Sequence, residues 1–555
     1  MNRVYTIIMA LLVAVAVTAQ PSWVKKASKS VFMLKTFDDK GSLLASSCGF
    51  FTGEQGEAVS SFTPFKGAYR AVVIDALGRE LPVACMLGAN DTYDVAHFRV
   101  DTKKTVPLTI AATNASTDDQ VWLLPYHEVK NVPQGSIRKA ETFRQGYAYY
   151  TVALNMPEGT ASCPLMNEAG EVLGLMQQPY RQDDTLSYAV SARFADSLSI
   201  NGLSINDRTL RSTYIKKDLP QSLEQAILTL YMAQGSLDSA AYDQILTDFI
   251  ARFPDSPDGY TYRAERAAAN KHFAEAAADM EKAIRVADKK DEVHFTYSKL
   301  IYQKELYKSN DPYDGWSLDK ALEEARTAER INPIPVYRQQ QAVILYAQKK
   351  YAEASDIYTT ITGSELRSAG LFYEASRCKA ALNDTIGQLA LLDSCVAMFS
   401  KPYLKEAAPY LMMRAQALLE AGKFRQATTD LNDYEKLMQA TVNANFYYLR
   451  FQAEVGGRLY QQALNDIDQA IKMQPEYDLY YAEKASLQVR VGLYDEAIAT
   501  ANECIRVAPE YSDGYLFLGI AQCLKGNKVE GVKNLQRAKE LGDPQANDLI
   551  EKYSH

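Results

Sequence analysis

Cysteine is scarce in this chain. Seven occur in 555 residues, at Cys48, Cys85, Cys163, Cys378, Cys395, Cys504 and Cys523, an odd number with no CxxC pair. That pattern describes neither a disulfide framework nor a zinc site. The five histidines, His97, His127, His272, His294 and His555, show no ligand spacing with them. No metal and no cofactor is expected, and most of the thiols are expected to be buried small apolar groups. A dense Lys/Arg stripe is also missing and the net charge is -8. Nucleic acid is therefore not expected as a partner.

Long apolar runs are lacking too. The one candidate, Ile7 to Val17, is shorter than the roughly 20 residues a spanning helix needs. It follows Arg3 and ends in Val17-Thr18-Ala19, small residues suited to signal-peptidase cleavage. Residues 1–19 are expected to be a signal peptide, cleaved after Ala19. No cysteine follows the run for lipid attachment, so any membrane association of the mature chain would be indirect. The expected location is periplasmic or peripheral to the outer membrane.

What is present is an ordinary folded composition, 47% hydrophobic and 23% charged with 28 glycines, in a chain too long for a single core. After residue 220, helical periodicity recurs in units of about 34 residues. Tyr481 to Ala485, Gly492 to Ala497, Cys504 and Pro509 set the frame. It returns as Tyr515, Leu518-Gly519, Gly526 and Pro544, and upstream at Ala415, Gly422 and Ala427. Ala264 with Ala276, Ala342 with Ala354, and Ala463 with Pro475 fit it as well. Small residues let paired helices approach closely, an aromatic between them fills the groove, and proline ends the second helix. This pattern resembles the tetratricopeptide repeat (TPR). The resemblance implies an all-α solenoid over 223–555, of about eight helical hairpins plus a C-terminal capping helix. It also implies a groove that binds a protein or peptide partner, expected within a cell-envelope complex.

Between Ser22 and about Ser204 the pattern changes to short β-branched and aromatic runs, as at Arg70 to Asp75 and Val121 to Pro125. Strands of that length and spacing read as a barrel or sandwich. Three segments go further: Ser47-Cys48-Gly49-Phe50-Phe51 followed by Gln55 to Ala68, then Asp91 to Ala96, then Gly159 to Gly174. In order and spacing they resemble the histidine, aspartate and serine segments of trypsin-like, HtrA/DegP-like proteases. The resemblance implies a double β-barrel over 20–205, joined through a polar linker at 206–222 to the solenoid.

Carried over by position, the family's histidine falls on Thr63, its aspartate on Asp94 and its serine on Ala161. Alanine has no nucleophile and threonine is no base at neutral pH. The chain is thus expected to be a pseudoprotease and not an enzyme. Ser162 and Cys163, where the family has two glycines, are expected to reshape the oxyanion turn. A one-residue slip would bring Ser162 near the nucleophile position, and Cys163 is a conceivable thiol nucleophile. Either would make the chain an active peptidase with a non-standard nucleophile. His97 and His127 are not placed to supply the missing base. The overall expectation is a non-enzymatic exported protein that binds or scaffolds other proteins, its protease-like domain a structural or peptide-binding module.

Overall fold

The computed structural model describes residues 20–554 apart from 128–130, 145, 179–184 and 308–309; the expected signal peptide lies outside the described residues. The chain divides into two compact units between Ala287 and Asp288.

The first unit begins with a single turn, α1 (Val24–Ala27), and two closed antiparallel barrels. The first holds β1 (Val31–Phe37), β2 (Leu43–Phe51), β3 (Glu57–Ser60), β4 (Arg70–Ile74), β5 (Glu80–Asn90) and β6 (Val95–Val100). The second holds β7 (Gln120–Leu123), β8 (Gln134–Phe143), β9 (Tyr147–Ala153), β10 (Pro164–Met166), β11 (Val172–Met176) and β12 (Ser187–Ser191). Neighbouring strands run β1-β2-β3-β6-β5-β4 and β7-β8-β9-β12-β11-β10. With strands numbered from the start of each barrel, the order is the same, so one topology occurs twice. Closure leaves no open sheet edge in either barrel.

Apolar residues alternate inward along the strands, as the two-residue period requires. Phe32, Leu34, Phe51, Phe65 and Phe98 fill the first barrel, with Phe32 and Phe51 rings 4.8 Å apart. Gly49 has to be glycine here: a Cβ would meet the Phe32 ring at 2.4 Å and the Val59 carbonyl at 2.7 Å. Between the barrels, Val31, Phe50 and Val59 meet Met166, Val172, Leu175 and Phe194. Tyr93 stacks on Phe143 at 4.2 Å within the same layer.

The segment 206–222, expected to be a linker, is instead stitched to the first barrel. It forms a short turn, α2 (Arg208–Arg211), and buries Leu210, Ile215 and Leu219. Main-chain bonds join Gly67 to Ser212, Tyr214 to Ala68 and Met86 to Lys216. Asp218 then receives Arg99 from β6 at 3.2 Å and Arg252 at 2.5 Å. Arg252 ends the first helical hairpin, α3 (Leu223–Gln234) with α4 (Ser239–Arg252). The barrels and the first two hairpins, the second being α5 (Pro257–Ala269) with α6 (Phe273–Val286), therefore form one compact unit. A change from strand to helix in the sequence did not mark this boundary, because the joining segment looks polar while three apolar anchors hold it down.

The second unit continues with α7 (Lys290–Tyr307), α8 (Leu318–Ile331), α9 (Pro335–Ala347), α10 (Tyr351–Ile361), α11 (Ala369–Ala381), α12 (Thr385–Val396) and α13 (Ala408–Glu420). After these come α14 (Phe424–Met438), α15 (Ala444–Gly456), α16 (Tyr460–Met473), α17 (Asp478–Arg490) and α18 (Tyr494–Val507), then α19 (Ser512–Leu524), α20 (Lys528–Glu540) and the capping helix α21 (Ala546–Ser554). The described residues thus hold nine hairpins, one more than the repeat frame suggested, two in the first unit and seven in the second. Within the second unit, the later helix of each hairpin packs on the first helix of the next. In seven hairpins the tight turn passes through a left-handed residue: Lys271, Lys349, Asn383, Gly422, Arg458, Gly492 and Gly526. Only three of these are glycine, which is why the turn is fainter in the sequence than in the structure.

Candidate functional site

The three segments that resemble protease catalytic regions converge. Thr63 opens a short 3-10 turn, Thr63–Phe65, three residues beyond β3. Its main-chain N–H donates to Asp94 Oδ1 at 2.6 Å, and the Phe62 N–H donates to the Asp94 carbonyl at 3.3 Å. Asp94 lies in the β5–β6 turn with φ 49°, a left-handed conformation that aspartate tolerates better than most residues. In a working triad the carboxylate would orient an imidazole. Here it caps the main chain of the turn that carries Thr63.

The loop from Gly159 to Pro164 faces the same region. Gly159 and Ser162 both have positive φ, 77° and 66°, so Ser162 holds a backbone conformation suited to the glycine that the family has there. Its side chain does not open the loop. Ser162 is fully buried, its N–H donates to the Met176 carbonyl, and its Oγ lies 2.6 Å from Ser61 Oγ and 2.8 Å from Ser47 Oγ. Three hydroxyls thus join β2, the end of β3 and the loop. Each is donor and acceptor but none is a base at neutral pH. Ala161 is the residue between Thr160, whose Oγ donates to the Pro157 carbonyl, and this cluster.

Cys163 is equally buried, beside Cys48 of β2. Burial pushes the Cys163 thiol well above its usual range, so the thiolate that nucleophilic attack requires is suppressed. A hydrogen bond from Cys163 is the largest influence lowering Cys48, whose Sγ also lies 3.5 Å from the Gly159 carbonyl. His97, on β6, is half-buried with Nδ1 3.4 Å from the Leu198 carbonyl, and burial holds its pKa down. His127 packs on the Tyr126 ring. Neither imidazole is bonded to Ser162 or Cys163.

The motifs drew attention to Thr63, Asp94, Ala161 and the Ser162-Cys163 pair but not to the roles of Ser47 and Ser61. Their signal was present only as an abundance of serine around the two motifs. Among the described residues no three His, Cys, Asp or Glu side chains gather as a metal site, and no helix is long and apolar enough to cross a membrane.

In the hairpins the comparable concentration of polar chemistry is charged. An arginine on a first helix meets an aspartate sixteen residues later on the second helix in three places. Arg263 pairs with Asp279, Arg414 with Asp430 and Arg450 with Asp466, each through two hydrogen bonds of 2.6–2.9 Å. Arg450 is the most enclosed, and it also meets Glu435 at 2.6 Å and stands 3.9 Å from Glu454. Burial first, and the Asp466 charge second, push the Glu454 carboxyl up to about 8. Further aromatic groups line successive first helices: Arg377 of α11 sits over the Tyr346 ring of α9 at 4.7 Å, and Tyr373 of α11 meets Tyr410 of α13.

A tetratricopeptide-repeat family model, TPR_16, matches residues 448–503, from α15 into α18. Among solved structures, the active form of the Rv3671c protease of M. tuberculosis is 18% identical, with a TM-score of 0.29, covering 32% of this chain and 82% of that one. A serine endoprotease from Yersinia pestis is 17% identical, with a TM-score of 0.27, covering 34% of this chain and 65% of that one. No curated protein matches the chain. The doubled six-strand order and the repeat match together make this a double antiparallel β-barrel followed by a TPR-type helical array.

Proposed function

We propose that this protein is a non-enzymatic, exported cell-envelope protein that holds or organises other proteins through its helical array, with the trypsin-like domain kept as a structural or peptide-contacting module. The observation that carries this reading is the occupancy of the catalytic positions. Thr63 and Ala161 stand where a base and a nucleophile would be needed, and Asp94 is engaged by the Thr63 main chain. Loss of such groups lowers turnover by roughly a million-fold. The nearest alternatives are also disarmed: the Ser162 hydroxyl bonds only other hydroxyls, and burial works against a Cys163 thiolate. A tetratricopeptide array is a recognition architecture, and the apolar run before Ala19 supports export.

The test is labelling of the full-length native protein with a fluorophosphonate and, separately, with iodoacetamide. The expected result is no mark on Ser162 or Cys163. A mark that disappears in Ser162→Ala or Cys163→Ala would establish an active peptidase instead. Cross-linking in intact cells is expected to return a reproducible protein partner from the envelope fraction; an uncross-linked monomer in the cytosol would refute both partner and location. N-terminal sequencing is expected to begin at Gln20.

A further inference from the structure

Two neighbouring concavities on the first unit take no part in the site above. One, of about 310 Å3, is walled by Trp23, Lys26, Ser30 and Val106, with Glu171 at its side. The other, of about 230 Å3, is walled by Lys29, Leu77, Arg79 and Lys104, and Val106 stands in both walls.

Three features of this face point the same way. Lys26, Lys29 and Lys104 are exposed and have no carboxylate partner among the described residues. Arg79, by contrast, is spent on Asp75 at 2.8 Å, and Glu171 accepts from the Asn167 amide. Three uncompensated cations around two adjoining hollows stand out in a chain of net charge -8. Next, the Ser30 hydroxyl is 1% exposed and without a hydrogen-bond partner, although buried hydroxyls nearly always find one. Finally, large apolar side chains stand between the lysines: Leu77 is 78% exposed and Val106 48%. Lysines alternating with exposed aliphatic groups and a half-buried tryptophan suit a lipid–water boundary, where the charge meets headgroup phosphates and the apolar groups leave water.

We propose that this face docks on an anionic membrane surface. Lys26, Lys29 and Lys104 meet the phosphates of lipid headgroups, Leu77 and Val106 enter the headgroup boundary, and Ser30 donates to a headgroup oxygen admitted to the larger hollow. A soluble anion is the weaker occupant, because the cations are spread over two hollows and the exposed aliphatic groups would have nothing to contact. This inference stands apart from the catalytic reading, and its failure would leave that reading untouched.

The test is flotation of the full-length exported protein with phosphatidylcholine vesicles, with and without phosphatidylglycerol. Binding is expected only with the anionic lipid, and it should weaken steeply with added salt. The exposed-site variant Lys26→Gln/Lys29→Gln/Lys104→Gln is expected to lose affinity on the order of a hundredfold while keeping its melting temperature; Leu77→Ser should lose a few-fold. Four results would overturn the proposal: no flotation at all, equal binding to neutral vesicles, insensitivity to salt or to the triple substitution, or full competition by glycerol phosphate. The last of these would mark a soluble-ligand pocket, and salt-insensitive binding would point to apolar contact without headgroup recognition.

Discussion

The two kinds of architecture in this chain bury polar atoms in different ways. Around the loop that resembles a protease nucleophile loop, the enclosed polar groups are uncharged: the Ser47, Ser61 and Ser162 hydroxyls, the Cys48 and Cys163 thiols, and main-chain amides. In the hairpins ions are enclosed as well as hydroxyls and amides, above all Arg450 among Asp466, Glu435 and Glu454. A working hydrolase would show the reverse, with charge and proton affinity concentrated in the cleft. Buried charge here marks helix register, since the same arginine–aspartate spacing recurs in three hairpins, and buried neutrality marks the loop that resembles a nucleophile loop.

That contrast can be broken most forcefully at Arg450. Arg450→Met leaves the buried Asp466 carboxylate without its cation and is expected to destabilise the second unit by about 3–5 kcal/mol, read by urea unfolding. The double variant Arg450→Met/Asp466→Leu should recover a large part of that loss, because it removes an uncompensated ion as well.

A smaller effect is expected at Glu454. Its carboxyl, ordinarily near 4.5, is held up at about 8, so the folded state binds a proton that the unfolded chain releases. The corresponding stability is complete below about 4.5 and is lost as pH rises through about 8. Glu454→Gln should flatten that decline and stabilise the protein by roughly 2 kcal/mol at alkaline pH; melting curves across the window check the sign.

At the neutral cluster the expected change is less again. Ser162→Ala leaves two hydroxyls short of a partner while keeping a side chain at positive φ, and should cost about 1–2 kcal/mol. Ser162→Gly loses the same bonds but relieves the backbone, so it should cost less than alanine. The smallest effect belongs to Ala161→Ser, expected to shift stability by less than about 0.5 kcal/mol and to leave the protein unlabelled by fluorophosphonate, because no imidazole stands at Thr63.

Legibility from sequence followed the range of the interactions. Gly49, the Asp91–Ala96 turn and the Gly159–Gly174 stretch were readable because each sets local geometry through glycine or a turn residue. The helical frame was readable because small residues return at a fixed interval. The anchoring of 206–222 was not, since Leu210, Ile215 and Leu219 lack any periodicity and act only through contacts far along the chain. The hydroxyl cluster was hidden for a related reason: Ser47 and Ser61 meet Ser162 across more than a hundred residues, and a serine in sequence gives no hint of its partner. The arginine–aspartate lattice lay in between, visible as a sixteen-residue spacing only once the helix pairs were known.

The placement of the three tryptophans gives each unit its own optical reporter. Trp23 and Trp122 meet edge to face at 6.4 Å in the first unit, with the Trp23 indole N–H bonded to the Glu168 carbonyl. Trp316 lies in the second unit, its indole N–H on the Tyr297 hydroxyl. In Trp316→Phe, tryptophan emission excited at the red edge of absorption, beyond the tyrosine band, would therefore follow the barrels alone, and in Trp23→Phe/Trp122→Phe it would follow the later hairpins alone. Two melting curves from one chain would then show whether the barrels and the later hairpins unfold in one step or in two.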